Sequence, residues 1–92
     1  MTGEERVQLF RQCLAAVDTL EAEYRGDPVL QSIRNQLRFL MEQAAGSPRN
    51  QDGLDRINIG VLTVRQVEDM NDSVARLLHR ASGEAKRMRA EV

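Results

Sequence analysis

The chain has 92 residues, which is enough for one domain, and a single domain over residues 1–92 is expected. Its 13 Lys and Arg residues against 14 Asp and Glu residues argue against a nucleic-acid partner, because phosphate binding usually needs a basic excess. No apolar run approaches the ~20 residues of a membrane-spanning helix, and the acidic start MTGEERVQLF does not resemble a signal peptide. A cytoplasmic protein without a membrane partner is therefore expected.

The first predicted element is an amphipathic helix that begins after Thr2. Glu5 stands three residues after Thr2, which is the spacing of a capping box. The positions that then step by three and four are Val7, Phe10, Leu14, Val17 and Glu21, with Leu20 and Tyr24 beside them. The single cysteine, Cys13, falls on the apolar side. It is expected to be a small buried hydrophobe rather than a nucleophile, and no internal disulfide can form.

A second helix is predicted from Pro28 to about Ala45. Gly26 is the expected C′ residue of the first helix, and Asp27 with Pro28 matches the N-cap and N1 preferences of a new helix. The apolar stripe consists of Leu30, Ile33, Leu37, Leu40, Met41 and Ala44. Because the connection to the first helix is short, the two helices are expected to form an antiparallel hairpin.

Residues 46–53, GSPRNQDG, are expected to form one loop because of their Gly, Pro, Asn and Asp content. The stretch that follows holds the densest apolar run of the chain, and its local signals disagree. Ile57, Ile59 and Val61 alternate as in a strand, yet no other segment offers a partner for a lone strand. A helix is therefore predicted, in which Gly60 allows another helix to approach closely. Its inner stripe is expected at Leu54, Ile57, Val61, Val64 and Val67.

The last predicted helix runs from about Ser73 to Ala90, with Asp72 as its N-cap. Its inner face is expected at Val74, Leu77, Leu78, Ala81, Ala85 and Met88. The basic residues near its end suit the negative pole of the helix dipole. Together the elements predict an all-α fold, a small antiparallel bundle of about four helices.

No set of residues typical of an enzyme or a metal site stands out. His79 is the only histidine, it has no second His or Cys at ligand spacing, and the glycines do not form a phosphate-binding loop. The protein is therefore expected not to be an enzyme and to use no cofactor or metal. A small helical enzyme with charged residues between its helices stays an alternative, although Glu21 is the only charge on the predicted stripes.

A helix-turn-helix regulator is another alternative, with its turn at Asn71-Asp72. The carboxylates of Glu68, Asp69 and Asp72 beside that turn would repel phosphates. Asp72 is explained as a helix cap, whereas Glu68 and Asp69 fall near the end of the preceding helix, where negative charge is unfavourable. A departure from a local rule is a reasonable place to look for function. Such a carboxylate corner could enter the cationic cleft of another protein.

Three segments resemble a known family. They are VLQS through QL at 29–37, LDRINIG at 54–60, and VRQVE at 64–68 followed by Asp72 and an apolar helix. Over about residues 29–82 this pattern is similar to the small immunity proteins of type VI secretion. More specifically, it resembles the family that protects against the NAD(P)+ glycohydrolase effector of Pseudomonas. The length of the chain and its all-helical character agree with that resemblance.

The resemblance implies a bacterial immunity protein, or antitoxin, that binds a cognate secreted antibacterial toxin and occludes its active cleft. The toxin is expected to be an NAD(P)+ glycohydrolase. Another nucleotide-consuming toxin, such as a synthetase that pyrophosphorylates adenine nucleotides, would fit as well. A helical adaptor or a secretion chaperone would need the same kind of surface and stays the alternative function. The sequence leaves the oligomeric state of the free protein open.

A charged corner would steer association with an oppositely charged cleft. The expected docking site is therefore the acidic corner, which consists of Arg65, Glu68, Asp69, Asn71 and Asp72. A second candidate surface, on the second helix, consists of Arg34 and Arg38.

Overall fold

The computed structural model describes residues 1–91, which form four long helices and one short helix. The helices are α1 (Gly3–Glu23), α2 (Pro28–Ala44), the short α3 (Gln51–Asp55), α4 (59–70) and α5 (Asp72–Ala90). Three joined segments make up α4, namely Ile59–Leu62, a π-helical Thr63–Val67 and Glu68–Met70. No strand occurs in the described residues, and the predicted all-α class is confirmed.

Local capping sets the start of the first two helices. The Thr2 hydroxyl accepts from the Glu5 backbone N–H at 3.1 Å, and the Glu5 carboxylate accepts from the Thr2 N–H at 2.8 Å, as the capping box predicts. Asp27 caps α2 and Pro28 occupies its first turn. Gly26 has a φ of 75° and makes the tight turn two residues after the C-cap Tyr24. The turn folds α2 back against α1 as the predicted hairpin.

The core lies where α1 and α2 meet α5, with α3 and α4 contributing one side. Every α2 position of the predicted stripe is buried or half-buried, and so is every predicted inner position of α5. Cys13 is fully buried on α1, and burial raises the pKa of its thiol to about 12. This environment is that of the small core hydrophobe that the sequence predicts.

The helical prediction for the central stretch is confirmed, but two positions of its predicted inner stripe, Val61 and Val64, are wrong. Ile59, Thr63 and Val67 are fully buried, whereas the side chains of Val61 and Val64 are 52% and 57% exposed. A spacing of four brings the first three onto one face, because a π-helical turn holds more residues than an α-helical turn. Thr63 is tolerated inside because its hydroxyl donates to the Ile59 carbonyl at 2.7 Å.

The predicted loop over residues 46–53 is also partly wrong, because α3 begins within it. Asn50 is the N-cap of α3, and its side-chain oxygen accepts from the Gly53 N–H at 2.8 Å. Leu54 is therefore buried as part of α3, separated from α4 by residues 56–58. The helical phase of Leu54 consequently does not carry over into α4, which is why a single stripe through both segments fails.

Asn71 rather than Asp72 is the N-cap of α5. The Asn71 side-chain oxygen accepts from the Val74 N–H at 3.1 Å, and Asp72 already lies inside the helix. Asn71 has an extended φ and ψ, which is the geometry of an N-cap, and it is the single residue that separates α4 from α5. The prediction of Asp72 as the cap is therefore wrong by one position.

An ion cluster joins the beginning of α1 to the end of α5. Arg6 Nε lies 2.9 Å from Glu84 Oε1, and the same guanidinium is bidentate to Glu91. Arg87 also pairs with Glu84. The Glu84 side chain is only 3% exposed, a burial that the helical pattern did not predict. Arg6 of α1 and Arg87 of α5 both neutralise the buried Glu84 carboxylate, so the cluster ties the beginning of α1 to the end of α5. This is the open end of the bundle.

Candidate functional site

A groove lies between α4 and α5 and has a volume of about 670 Å³. One wall consists of α4 and the two residues before it, through Ile57, Asn58, Gly60, Val61, Val64 and Arg65. The opposite wall belongs to α5 and consists of His79, Ser82, Gly83, Ala85, Lys86 and Arg89.

The groove owes its shape to small residues on both helices. A Cβ atom on Gly60 would stand 2.6 Å from the Ser82 hydroxyl oxygen, so this glycine lets α4 and α5 approach closely, as predicted. Beside Gly83 the situation is the opposite, because a Cβ atom there would meet nothing within 4 Å. The two helices are therefore in contact at Gly60 and leave open space beside Gly83.

The rim of the groove combines apolar and basic groups. Only four large apolar side chains of the described residues are exposed, and Val61 and Val64 are two of them. Arg65, Lys86 and Arg89 pair with no carboxylate among residues 1–91. None of the described residues that line the groove is acidic. The groove is thus an apolar cleft with a positive rim.

The acidic corner adjoins this groove at the C-terminal end of α4. Glu68 and Asp69 are exposed in the last turn of α4, and α5 begins two residues after it ends. Glu68 Oε2 lies 2.8 Å from His79 Nε2, so the corner contacts a lining residue of the groove directly. Arg65 belongs to both surfaces. The structure therefore places the acidic corner and the basic groove side by side.

Three members of the acidic corner already have partners inside the chain, and one of them is Glu68, which contacts His79 at 2.8 Å. Asn71 caps α5, and Asp72 pairs with Arg76 at 2.7 Å in an exposed contact one turn along the helix. Exposed pairs of this kind are weak, so they leave Asp72 accessible to another protein. No partner side chain is recorded for Asp69 among the described residues. Asp69 is accordingly the one carboxylate of the corner without an ion pair among residues 1–91, whereas Glu68 and Asp72 take part in exposed pairs.

Of the two arginines on the second predicted surface, Arg34 forms ion pairs within residues 1–91 and Arg38 does not. Arg34 is directed toward α1, where its Nε lies 2.8 Å from Glu21 Oε1 and 3.6 Å from Asp18 Oδ1. The hydrogen bond that Arg34 donates to Glu21 raises the pKa of this guanidinium above its ordinary value. Arg38 is exposed one turn further along α2. Arg34 thus helps to hold α1 and α2 together, and neither arginine forms an ion pair with the acidic corner among residues 1–91.

The groove was missed because sequence reasoning assigned its valines to the core. Val61 and Val64 belong to an apolar run that is long enough to supply two faces of a helix, and periodicity alone does not say which face is covered. One available signal was Gly60, since a glycine inside a helix marks close approach by another helix and so locates the α5 contact nearby. A second was the residue pair Ser82-Gly83, which leaves part of α5 without large side chains.

Neither a metal-binding cluster nor a membrane-spanning helix occurs among residues 1–91. No group of three or more His, Cys, Asp or Glu side chains within residues 1–91 is arranged to hold a metal ion. In the same part of the chain, no helix has both the length and the apolarity that crossing a membrane requires.

The comparison with known protein families agrees with the resemblance noted in the sequence. The Tsi6 family model matches residues 5–87, which span all four long helices. No curated protein and no solved structure gives a match. Because the family match covers nearly the whole chain, the protein belongs to the Tsi6 family, a family of type VI secretion immunity proteins.

Proposed function

We propose that this immunity protein binds a cognate secreted toxin and occludes its active cleft, and that the toxin is an NAD(P)+ glycohydrolase. The observation that carries the proposal is the family match over residues 5–87. An immunity protein of this kind works by occupying a surface of the toxin and performs no reaction itself. The proposed site of action is the cytoplasm, because a toxin that consumes NAD(P)+ depletes the cytoplasmic pool.

The size and packing of the chain suit this mode of action. A tight protein complex buries about 800 Å² on each partner, and the described surface of 5528 Å² supplies that area with roughly a seventh of its extent. The long helices are fixed against one another by a continuous core and by the ion cluster at the open end of the bundle. A rigid surface loses little entropy on docking, which favours a long-lived complex.

The acidic corner is the part of this surface that we propose to enter the cleft. A cleft that binds NAD(P)+ must accommodate its phosphates, and cationic groups commonly do so. Glu68 and Asp69 are exposed carboxylates on a helix end, so they suit such a cleft and would accelerate association through long-range attraction. The same reasoning applies to any other toxin that consumes a phosphorylated nucleotide.

The proposal is tested with purified type VI toxin domains encoded by the same genome. Each domain is mixed with this protein, and complex formation and loss of NAD+ are measured. One domain is expected to bind at about one to one and to lose its NAD+-consuming activity completely. In the double variant Glu68→Lys/Asp69→Lys the affinity is expected to fall well over tenfold. The variant Glu23→Lys/Glu42→Lys is the control, because it makes the same charge change at exposed positions of α1 and α2.

The outcomes separate the parts of the proposal. A bound toxin that consumes a different nucleotide would contradict the NAD(P)+ assignment and retain the immunity function. Unchanged affinity of Glu68→Lys/Asp69→Lys would show that the acidic corner is not the docking site. Modest binding to several unrelated proteins, with no toxin inhibited, would favour an adaptor and contradict the proposed function.

A further inference from the structure

The groove between α4 and α5 is a surface that the acidic corner does not account for. We propose that it receives one segment of the toxin domain, which carries a large apolar side chain flanked by carboxylates. This inference rests on the proposed function, because the occupant belongs to the same toxin. The groove would be a positively charged anchoring pocket beside the negatively charged acidic corner, which steers association.

The apolar part of the argument is the exposure of Val61 and Val64. They stand three residues apart on α4, on the same wall of the groove, and each is more than half exposed. Val67, on the same helix, is fully buried, so the fold does have room for valines of this helix in its core. Neighbouring apolar side chains that are exposed on a concave surface and bordered by polar groups are typical of a protein-binding site.

The shape of the groove fits an inserted side chain. The open space lies beside Gly83 on α5, and the lining residues on either side of it, Ser82 and Ala85, also have small side chains. The volume of about 670 Å³ is larger than one side chain needs, so part of the backbone of the segment would also enter. Anchors in such pockets supply most of the binding energy of many protein interfaces.

The charge of the rim identifies the flanking groups of the occupant. Arg65 stands on one wall, and Lys86 and Arg89 stand on the other, so both helices place cations in the groove that the exposed valines line. They have no carboxylate partner in the described chain, and lining carboxylates are absent there too. An incoming segment with Asp or Glu on each side of its apolar residue would pair with both walls.

The exposure of the valines also favours a protein over a small molecule. Pockets for small ligands surround most of the ligand with walls that are themselves enclosed. Here the apolar groups stand at the edge of an open groove, where a small molecule would cover them poorly and a protein surface would cover them fully. A second copy of this chain would bring its acidic corner to the groove, and the experiment below separates that occupant from the toxin.

The test uses the full chain and the toxin domain that it inhibits. The variants Val64→Asp and Lys86→Glu change exposed groove residues, so the helical circular dichroism spectrum is expected to stay unchanged. Each is expected to weaken toxin binding at least tenfold. Arg11→Glu is the matched control for charge reversal, because it is exposed on α1 away from the groove, and it is expected to change affinity less than threefold. A photo-crosslinking residue at position 64 then identifies the toxin segment in the groove.

The possible results distinguish failure of this inference from failure of the proposed function on which it rests. If wild-type protein inhibits a toxin and the groove variants bind it equally well, the inference fails and the proposed function stands. A cross-linked toxin segment without Asp or Glu beside an apolar residue also contradicts it. Dimerisation of the free protein that Val64→Asp abolishes, with toxin affinity unchanged, would assign the groove to a second copy. If wild-type protein inhibits no toxin, the proposed function itself fails.

Discussion

The buried carboxylate of Glu84 allows a quantitative test of how the bundle is held together. Replacing Arg6 by Met removes the guanidinium that reaches Glu84 at 2.9 Å and keeps a side chain of similar length. Removing one partner of a buried ion pair costs about 3–5 kcal/mol, because the remaining charge is left in a poorly solvated place. Arg87 continues to pair with Glu84 from the solvent side, so the lower end of that range, about 3 kcal/mol, is expected.

That cost is large for a chain of this length. The unfolding entropy of about 2.1 cal/mol/K per residue amounts to roughly 190 cal/mol/K for the whole chain, so 3 kcal/mol corresponds to a fall in Tm of about 15 °C. The total stability expected for such a domain is about 5–14 kcal/mol, so the variant should remain folded at room temperature. The loss is measured by urea unfolding, followed by circular dichroism, at pH 7.

The pH dependence of the loss identifies its cause. Burial alone would raise the pKa of the Glu84 carboxyl, but the hydrogen bonds from Arg6 and Arg87 outweigh burial and hold the pKa below its ordinary value of 4.5. The wild-type protein therefore gains stability from this group above pH 4.5 and loses it as the pH falls through the lower folded-state value. Without Arg6, burial dominates and the pKa should rise. The difference in the free energy of unfolding between the wild-type protein and Arg6→Met should thus be largest at neutral pH and shrink toward pH 4.

Arg76→Met is the matched control for this experiment. Arg76 pairs with Asp72 at 2.7 Å, but both side chains are exposed, at 79% and 68%, and such pairs contribute about 0–1 kcal/mol. The same chemical substitution is therefore expected to cost several times less than Arg6→Met. Equal costs for the two variants, or a cost of Arg6→Met that does not change between pH 7 and pH 4, would refute the reasoning.

Two other substitutions test the local geometry of α4 and α5. Asn71→Ala should destabilise the protein by about 1 kcal/mol, because it removes the N-cap of α5, and Asp72→Ala should cost less than half of that; urea unfolding compares them. Gly60→Ala places a methyl group 2.6 Å from the Ser82 hydroxyl oxygen, so the double variant Gly60→Ala/Ser82→Ala should be at least 1 kcal/mol more stable than the two single changes predict together. A larger loss for Asp72→Ala would reassign the cap, and additive effects of the glycine and serine changes would contradict the close approach of the helices.

Local sequence determined where α1 and α2 begin and which faces of α2 and α5 are buried. The Thr2 capping box, the Asp27 N-cap with Pro28, and the regular apolar spacing of these helices act within a few residues, so they can be read along the chain. The acidic corner was also located from sequence, because Glu68 and Asp69 break a local electrostatic rule. The three segments that resemble the immunity family likewise led to the type VI secretion immunity proteins, and the family match confirms that class.

Only the tertiary structure decided which residues of α4 face inward and which form the groove. The run from Ile57 to Val67 has apolar residues on more than one side, and the choice between its faces depends on the π-helical turn and on the fit of Gly60 against Ser82. The burial of Glu84 likewise depends on Arg6, which lies 78 residues earlier in the chain. Periodicity describes one helix at a time. Which side of a helix is covered, and whether a charge can be buried, depends on groups that distant parts of the chain bring to it.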